Sequence, residues 1–344
     1  MALTTKQITE IKDELDTAYN PLFFYDDDPD GLASFLLLYR YIKEGHGVVV
    51  KAKPELDESF LRKVEEYKPD KIFLLDKPQV SQEFIDGAKT KIIWIDHHEP
   101  IPRHNVRHYN PMVNNKLDNR PVTYWCYRAV KQDLWIAAAG IVSDWFFLKP
   151  VQEFSKQYPD LLPPEVETAP QALYTTELGK LARILSFNLK GKTSDVNKQV
   201  KILTRIKTPY EILNQETAQG SYIYKQFGKI DLSYQLLLKE SIHQAGNQKM
   251  LVYTYTDSHN SFTGDLSNEL IYRFPKKIVV VSRSTNGEMK SSLRSGTVKL
   301  LPIVKKALIG VKGYGGGHAY ACGAVVKIED WQKFIDNINK QLKP

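Results

Sequence analysis

Leu22-Phe23-Phe24-Tyr25-Asp26-Asp27-Asp28-Pro29-Asp30-Gly31 is the stretch on which the fold turns. A short continuous apolar run that ends abruptly in turn-forming acids reads as a strand buried on both faces. The pattern recurs at Ile72-Phe73-Leu74-Leu75, closed by Asp76, and at Ile92-Ile93-Trp94-Ile95, closed by Asp96-His97-His98. With the amphipathic stretches between them, these runs predict strands over 22–26, 47–52, 71–76 and 91–96. Helices are predicted over 31–44, 57–67, 81–88, 122–131 and 133–146. The fold class is therefore α/β, a parallel sheet covered by helices, with every acidic cluster at a strand C-terminus, where open α/β sheets bind ligands.

Further along, Pro159, Pro163, Pro164 and Pro170 introduce helical periodicity over 171–190, 196–206 and 221–243. Alternation then returns, with strands expected at 249–256, 277–284 and 288–294 and an Asn286-Gly287 hairpin turn between the last two. Gly313-Tyr314-Gly315-Gly316-Gly317-His318 reads as a glycine-rich loop before a strand at 323–328 and a helix at 329–342. Three segments are expected: 1–150, a helical connector over 151–245, and a smaller α/β domain with a mixed sheet over 246–344.

The 344 residues are 42% hydrophobic and 25% charged, enough for two cores. A net charge of +7 leans toward anionic partners. Cys126 and Cys322 are far apart, so neither a disulfide framework nor a zinc ribbon is supported and a reducing cytoplasm is expected. No apolar leader or membrane-length span occurs, so no membrane association is expected.

Packing several carboxylates together destabilises a fold unless a cation neutralises them. Asp-x-Asp-x-Asp-Gly also opens a calcium-binding EF-hand loop, but the twelfth position, which needs Glu, holds Leu37, and the preceding segment is a strand. Helix capping accounts for one Asp and leaves the others unexplained. Oxygen ligands with one or two imidazoles suit manganese or magnesium better than zinc. Two such ions roughly 3.5–4 Å apart form a clamp used in phosphoester hydrolysis.

Asp26 to Gly31, Asp76, Asp96-His97-His98 and Ser143-Asp144, followed by Gly315-Gly316-Gly317-His318 and Ala321-Cys322-Gly323, resemble the motifs of the DHH/DHHA1 phosphoesterase superfamily. The Asp-first opening resembles the RecJ-like nucleases of archaeal type, the Hef-associated nucleases among them. That resemblance implies a 1–150 DHH catalytic domain, a 246–344 DHHA1 substrate domain and two Mn2+ ions, with Mg2+ as the alternative. By the same resemblance, Asp26 and Asp28 hold the first ion, Asp30, His97 and Asp144 the second, and Asp76 bridges them. Asp96 steadies the His97 ring, while His98, Arg294, His318 and the Gly315, Gly316 and Gly317 backbone engage the substrate phosphate.

The implied activity is an exonuclease on single-stranded DNA or RNA that releases mononucleotides. Alternatives are hydrolysis of short oligonucleotides, cyclic dinucleotides or nucleotide 3′-phosphates, and a replication or repair scaffold. A replication or fork-repair protein partner and a homodimer are both compatible with the resemblance. His46, His104, His108, His243 and His259 read as isolated imidazoles, with His104 and His108 the two that could reach substrate. Lys198, Lys201, Arg205 and Lys207 read as a solvated face or a nucleic-acid path.

Overall fold

The structure, a computed structural model, describes residues 3–51, 55–256 and 260–342. Its contacts divide the chain into two compact units, Met1–Phe227 and Gly228–Pro344. His259 lies outside the described residues, as does position 52 at the end of the second expected strand.

In the first unit, α1 (Thr5–Asp16) precedes a five-stranded sheet of β1 (Leu22–Asp26), β2 (His46–Val50), β3 (Lys71–Leu75), β4 (Lys91–Ile95) and β5 (Arg107–Tyr109). Every pairing is parallel and the order is β2-β1-β3-β4-β5. The apolar runs are continuous because both faces are covered. Leu22, Phe24, Ile72, Leu74, Ile92 and Trp94 pack with Phe84 and Ile85 on one side. On the other, Phe23 stacks on Phe73 at 5.2 Å and Tyr25 on Phe35 at 4.6 Å. Each such fully buried aromatic contributes about 1.5–3 kcal/mol of transfer free energy. Phe35 belongs to α2 (Pro29–Ile42), which lies beside α3 (Val122–Val130) and α4 (Leu134–Ser143). The three-residue edge strand β5 carries no apolar run and was not among the expected strands.

Helices Lys149–Gln157, Ala169–Thr175, Glu177–Asn188, Thr193–Leu203 and Pro209–Leu213 complete the unit. The periodicity over 171–190 breaks at Thr176, which is extended and caps the next helix through the Gly179 amide. A Cβ at Gly179 would lie 2.0 Å from the Leu173 carbonyl oxygen, so this sharp corner requires glycine. The long helix α5 (Ala218–His243) carries the chain into the second unit.

There the sheet comprises β6 (Met250–Thr256), β7 (Ile278–Thr285), β8 (Glu288–Ser295), β9 (Gly313–Gly317) and β10 (Ala321–Lys327), in the order β9-β10-β8-β7-β6. It is mixed: β6 and β7 are parallel and the other pairings antiparallel. Helices α6 (Thr263–Arg273), α7 (Leu300–Ala307) and α8 (Trp331–Leu342) cover it. The expected hairpin is present, with Thr285 opposite Glu288 and φ values of 50° at Asn286 and 74° at Gly287.

The glycine run corrects the loop expectation: it is the edge strand β9. Cβ atoms at Gly313, Gly315 and Gly317 would fall 2.4, 2.7 and 2.5 Å from β10 backbone oxygens, whereas Gly316 meets nothing within 4 Å. Alternate glycines therefore permit a close strand pairing. A glycine run reads as a turn only when such tertiary contacts are invisible.

Candidate metal centre

The chain runs from β1 to β2 on one side and returns to β3 on the other, so the strand order reverses between β1 and β3. A crevice opens at the C-terminal end of such a reversal. Asp26, Asp28 and Asp30 leave β1 there and Asp76 leaves β3. Gly31 makes the first turn close, because a Cβ would lie 2.7 Å from the Asp26 backbone N and O. Its amide donates to Asp28 Oδ1 at 2.9 Å, and Asp28 thereby caps α2. Asp76 has φ 59°, a left-handed conformation that Asp tolerates better than most residues. Its amide donates to the Ile95 carbonyl oxygen, and its side chain is buried.

His97 faces this carboxylate. Nδ1 lies 2.8 Å from the Asn119 carbonyl oxygen, which can only accept, so the proton of the neutral ring sits on Nδ1. Nε2 is then a lone pair 3.3 Å from Asp76 Oδ1, a buried oxygen with no hydrogen-bond partner. Two acceptors in contact need a proton or a cation between them. Burial disfavours the imidazolium, but Asp76, with Asp144 and Asp30 behind it, outweighs burial and pushes His97 up to about 12. Burial, then repulsion from Asp30 and Asp28, pushes Asp76 well above the usual carboxylate range. Asp144, at the end of α4, is raised by burial against the pull of His97, with Asp30 and Asp28 adding to the rise. Asp28 keeps solvent exposure, yet the protein around it and then Asp30 raise it too.

Among the described residues, ligand atoms within 4.8 Å of one another form two triads, Asp30–His97–Asp144 and Asp76–His97–His98. Asp30 Oδ2 lies 4.0 Å from His97 Nε2, and Asp144 Oδ2 lies 3.7 Å from Nδ1. Asp30 is buried and held by backbone amides, Oδ1 accepting from Thr123 at 2.7 Å and Oδ2 from Val122 at 2.9 Å. Asp26 belongs to neither triad: its Oδ1 accepts from Lys77 Nζ at 2.6 Å. Donor chemistry therefore fits a divalent ion beside His97, with Asp30 and Asp144 in one triad and Asp76, whose Oδ1 is orphaned, with His98 in the other.

The expected support of His97 by Asp96 is corrected. Asp96 Oδ1 accepts instead from His98 Nδ1 at 2.9 Å, while Oδ2 takes the His98 amide and Asn110 Nδ2. His97 is held by the Asn119 carbonyl oxygen, a backbone group for which residue type gives no signal. The Val122 and Thr123 amides were unreadable for the same reason.

In the second unit, Arg294 pairs in register with Ala321, and Gly317 with Cys322. Arg294 and the glycine strand thus meet at one end of the sheet. Arg294 Nε donates to Asn268 Oδ1 at 2.6 Å, and the His318 amide donates to the Ala321 carbonyl oxygen. His46 stacks on Tyr67 at 4.2 Å and His108 on Trp94 at 3.9 Å, where burial pushes His108 down to about 4. His104, Lys198, Lys201, Arg205 and Lys207 are exposed, with Lys198 over the Tyr222 ring. Both cysteines are free and buried, and among the described residues no helix is long and apolar enough to cross a membrane.

The shifts set a pH dependence. The His97 contribution is fully present below the unfolded value of 6.5 and is lost as pH rises toward about 12. Asp76 and Asp144, raised from 3.8, add a cost that grows as pH rises above that value. Both make the ion-free protein less stable at higher pH. A divalent ion removes both penalties. The thermal midpoint gained on adding Mn2+ to chelator-stripped protein is expected to be larger at pH 8 than at pH 6. At one fixed Mn2+ concentration, a hundredfold over the Kd at pH 8, scanning calorimetry should give a gain on the order of 5–10 °C at that pH, from about 2.7 kcal/mol of linkage, and a smaller one at pH 6. An equal gain at both values would refute proton–metal competition.

The DHH family N-terminal domain model matches residues 22–163, and the DHHA1 domain model matches residues 247–344. A search of curated proteins gives no match. Among solved structures, RecJ in complex with Mn2+ from Thermus thermophilus has a TM-score of 0.68 at 16% identity, over 99% of this chain and 55% of that one. The chain therefore spans only about half the length of that relative. A second exonuclease RecJ, bound to manganese, gives 0.64 at 16% identity, covering 99% and 96%. A pGpG-specific phosphodiesterase, PggH, from Vibrio cholerae gives 0.51 at 14%, covering 94% and 98%. At these identities the likeness is one of fold. Two family models thus match along one chain, in the order of its two units: a DHH family N-terminal domain and then a DHHA1 domain.

Proposed function

We propose that the protein is a metal-dependent phosphodiesterase that acts as an exonuclease on single-stranded DNA or RNA and releases mononucleotides. The observation that carries the reading is the contact between the orphaned Asp76 Oδ1 and the His97 Nε2 lone pair, an arrangement that a divalent ion satisfies. Asp30, Asp76, His97 and Asp144 would hold the ion, Mn2+ in preference to Mg2+. When bound, it supplies Lewis-acid neutralisation of charge building on the phosphoryl oxygens.

The chain's own groups do the positioning. Asp96 and Asn110 fix His98: its Nδ1 proton is committed to Asp96, so Nε2 is left for substrate and donates to a non-bridging phosphate oxygen when the ring is an imidazolium, protonated on both nitrogens. Within the second unit, Arg294, His318 and the Gly315, Gly316 and Gly317 backbone are the groups offered to substrate phosphate. Residues 151–245, whose helices as far as Leu213 belong to the first unit, would lead the chain from the DHH to the DHHA1 domain, and a net charge of +7 favours a polyanionic substrate.

The same chemistry on dinucleotides is the second reading, favoured by the fold shared with the pGpG-specific enzyme. A scaffold without catalysis has no use for clustered, unneutralised carboxylates. Incubation with Mn2+ and end-labelled single strands of DNA and RNA, beside a dinucleotide, tests all three. Mononucleotide release faster from the strand than from the dinucleotide is the expected result. Preference for the dinucleotide would select the second reading, and no hydrolysis of either would select the scaffold.

A further inference from the structure

We propose that Lys77 is a built-in cation: its ammonium takes the first-ion place beside Asp26 and Asp28, so that each chain holds one divalent ion, at Asp30, Asp76, His97 and Asp144. This deepens the metal-dependent reading above and rests on it.

Lysine is seldom fully buried, because its ammonium loses hydration that only an anion can replace. Here the Lys77 side chain is 1% exposed, and its Nζ donates to Asp26 Oδ1 at 2.6 Å. The residue is anchored at its other end too, since the buried Trp94 Nε1 donates to the Lys77 carbonyl oxygen at 2.9 Å. Successive residues of a regular strand point to opposite faces. The left-handed backbone at Asp76 breaks that alternation, and both Asp76 and Lys77 reach the acidic cluster.

The remaining first-ion ligands fit the same account. Neither ligand triad includes Asp26 or Asp28, and Asp28 Oδ1 already accepts from the Gly31 amide. A divalent ion bonded to Asp26 Oδ1 would sit against an ammonium on the same oxygen, and two cations that close repel strongly in a partly buried site. Lysine or ion can occupy the place, not both. An ammonium offers one charge and hydrogen-bond donors to a phosphate, without open coordination positions.

Equilibrium dialysis of the full chain against saturating Mn2+, with the metal counted by plasma mass spectrometry, tests the proposal without any activity readout. One Mn2+ per chain is expected for the wild type and for Lys77→Arg, and two for Lys77→Ala. The wild-type spin-resonance spectrum should be that of an isolated Mn2+ and not of an exchange-coupled pair. Two ions in the wild type, or one in a folded Lys77→Ala protein, would overturn the proposal. If the alanine variant fails to fold, the wild-type count and spectrum still decide. Hydrolysis by a two-ion wild type would leave the phosphodiesterase reading standing while this one falls, and no bound ion at all would remove both.

Discussion

Asp76→Asn is expected to lower the rate of phosphodiester hydrolysis on the order of 10²–10³-fold while leaving the ion-free protein at least as stable as wild type. Both halves follow from one contact. Asp76 Oδ1 lies 3.3 Å from His97 Nε2, so without an ion a proton must sit between them, and the cluster around them holds Asp28 and Asp30 as further negative charge. An asparagine amide oxygen still accepts from the protonated Nε2 and carries no charge, so the burial penalty and the repulsion from Asp30 and Asp28 disappear without an ion. Asparagine also tolerates the left-handed backbone at this position, which alanine does less well. The ion loses an anionic ligand, and loss of one preorganised charge-stabilising group costs about 10²–10³ in turnover. The Mn2+-dependent rise in thermal midpoint should vanish with it. Activity within tenfold of wild type, measured on the substrate that wild type prefers, would show that Asp76 does not hold the ion.

What could be read in the sequence divides along a physical line. Strands 22–26, 71–75 and 91–95 were legible because burial on both faces forces a continuous apolar run, and Asp26, Asp76 and Asp96 were legible as charges placed where such runs stop. The hairpin at Asn286-Gly287 was legible because its backbone needs positive φ at both positions. The edge strands were not. Arg107–Tyr109 has three residues and no apolar pattern, and Gly313–Gly317 is a strand only because β10 approaches too closely for side chains. The supports of the site were hidden for another reason. His97 is oriented by the Asn119 carbonyl and Asp30 by the Val122 and Thr123 amides, backbone groups present at nearly every position. Lys77 was hidden because a lysine in a sequence is read as solvated until its surroundings are known.

Asp30→Ala should fail in the opposite way to Asp76→Asn, unfolding the first unit more readily as well as releasing the ion. The helix Val122–Val130 begins at Pro121, whose side chain cannot cap it. The Asp30 carboxylate, arriving from α2, accepts both of its first amides, so removal strands two buried donors. Each costs about 1–3 kcal/mol, or roughly 2–6 kcal/mol together. For a unit of this size that lowers the thermal midpoint by on the order of 5–15 °C even without metal. Asp30→Asn keeps one acceptor oxygen and should recover about half of the loss, yet it removes the charge and so should not recover Mn2+ affinity. Chelator-stripped melting curves for the two variants, beside Mn2+ titrations of each, separate the two duties of this carboxylate. Equal midpoints for the alanine and wild-type proteins would mean that the helix start is satisfied by other groups. Recovered affinity in the asparagine variant would mean that the ion does not need this charge. The opposite stability signs expected at Asp30 and Asp76 follow from what surrounds each carboxylate without the ion, two amide donors in one case and a crowd of like charge in the other.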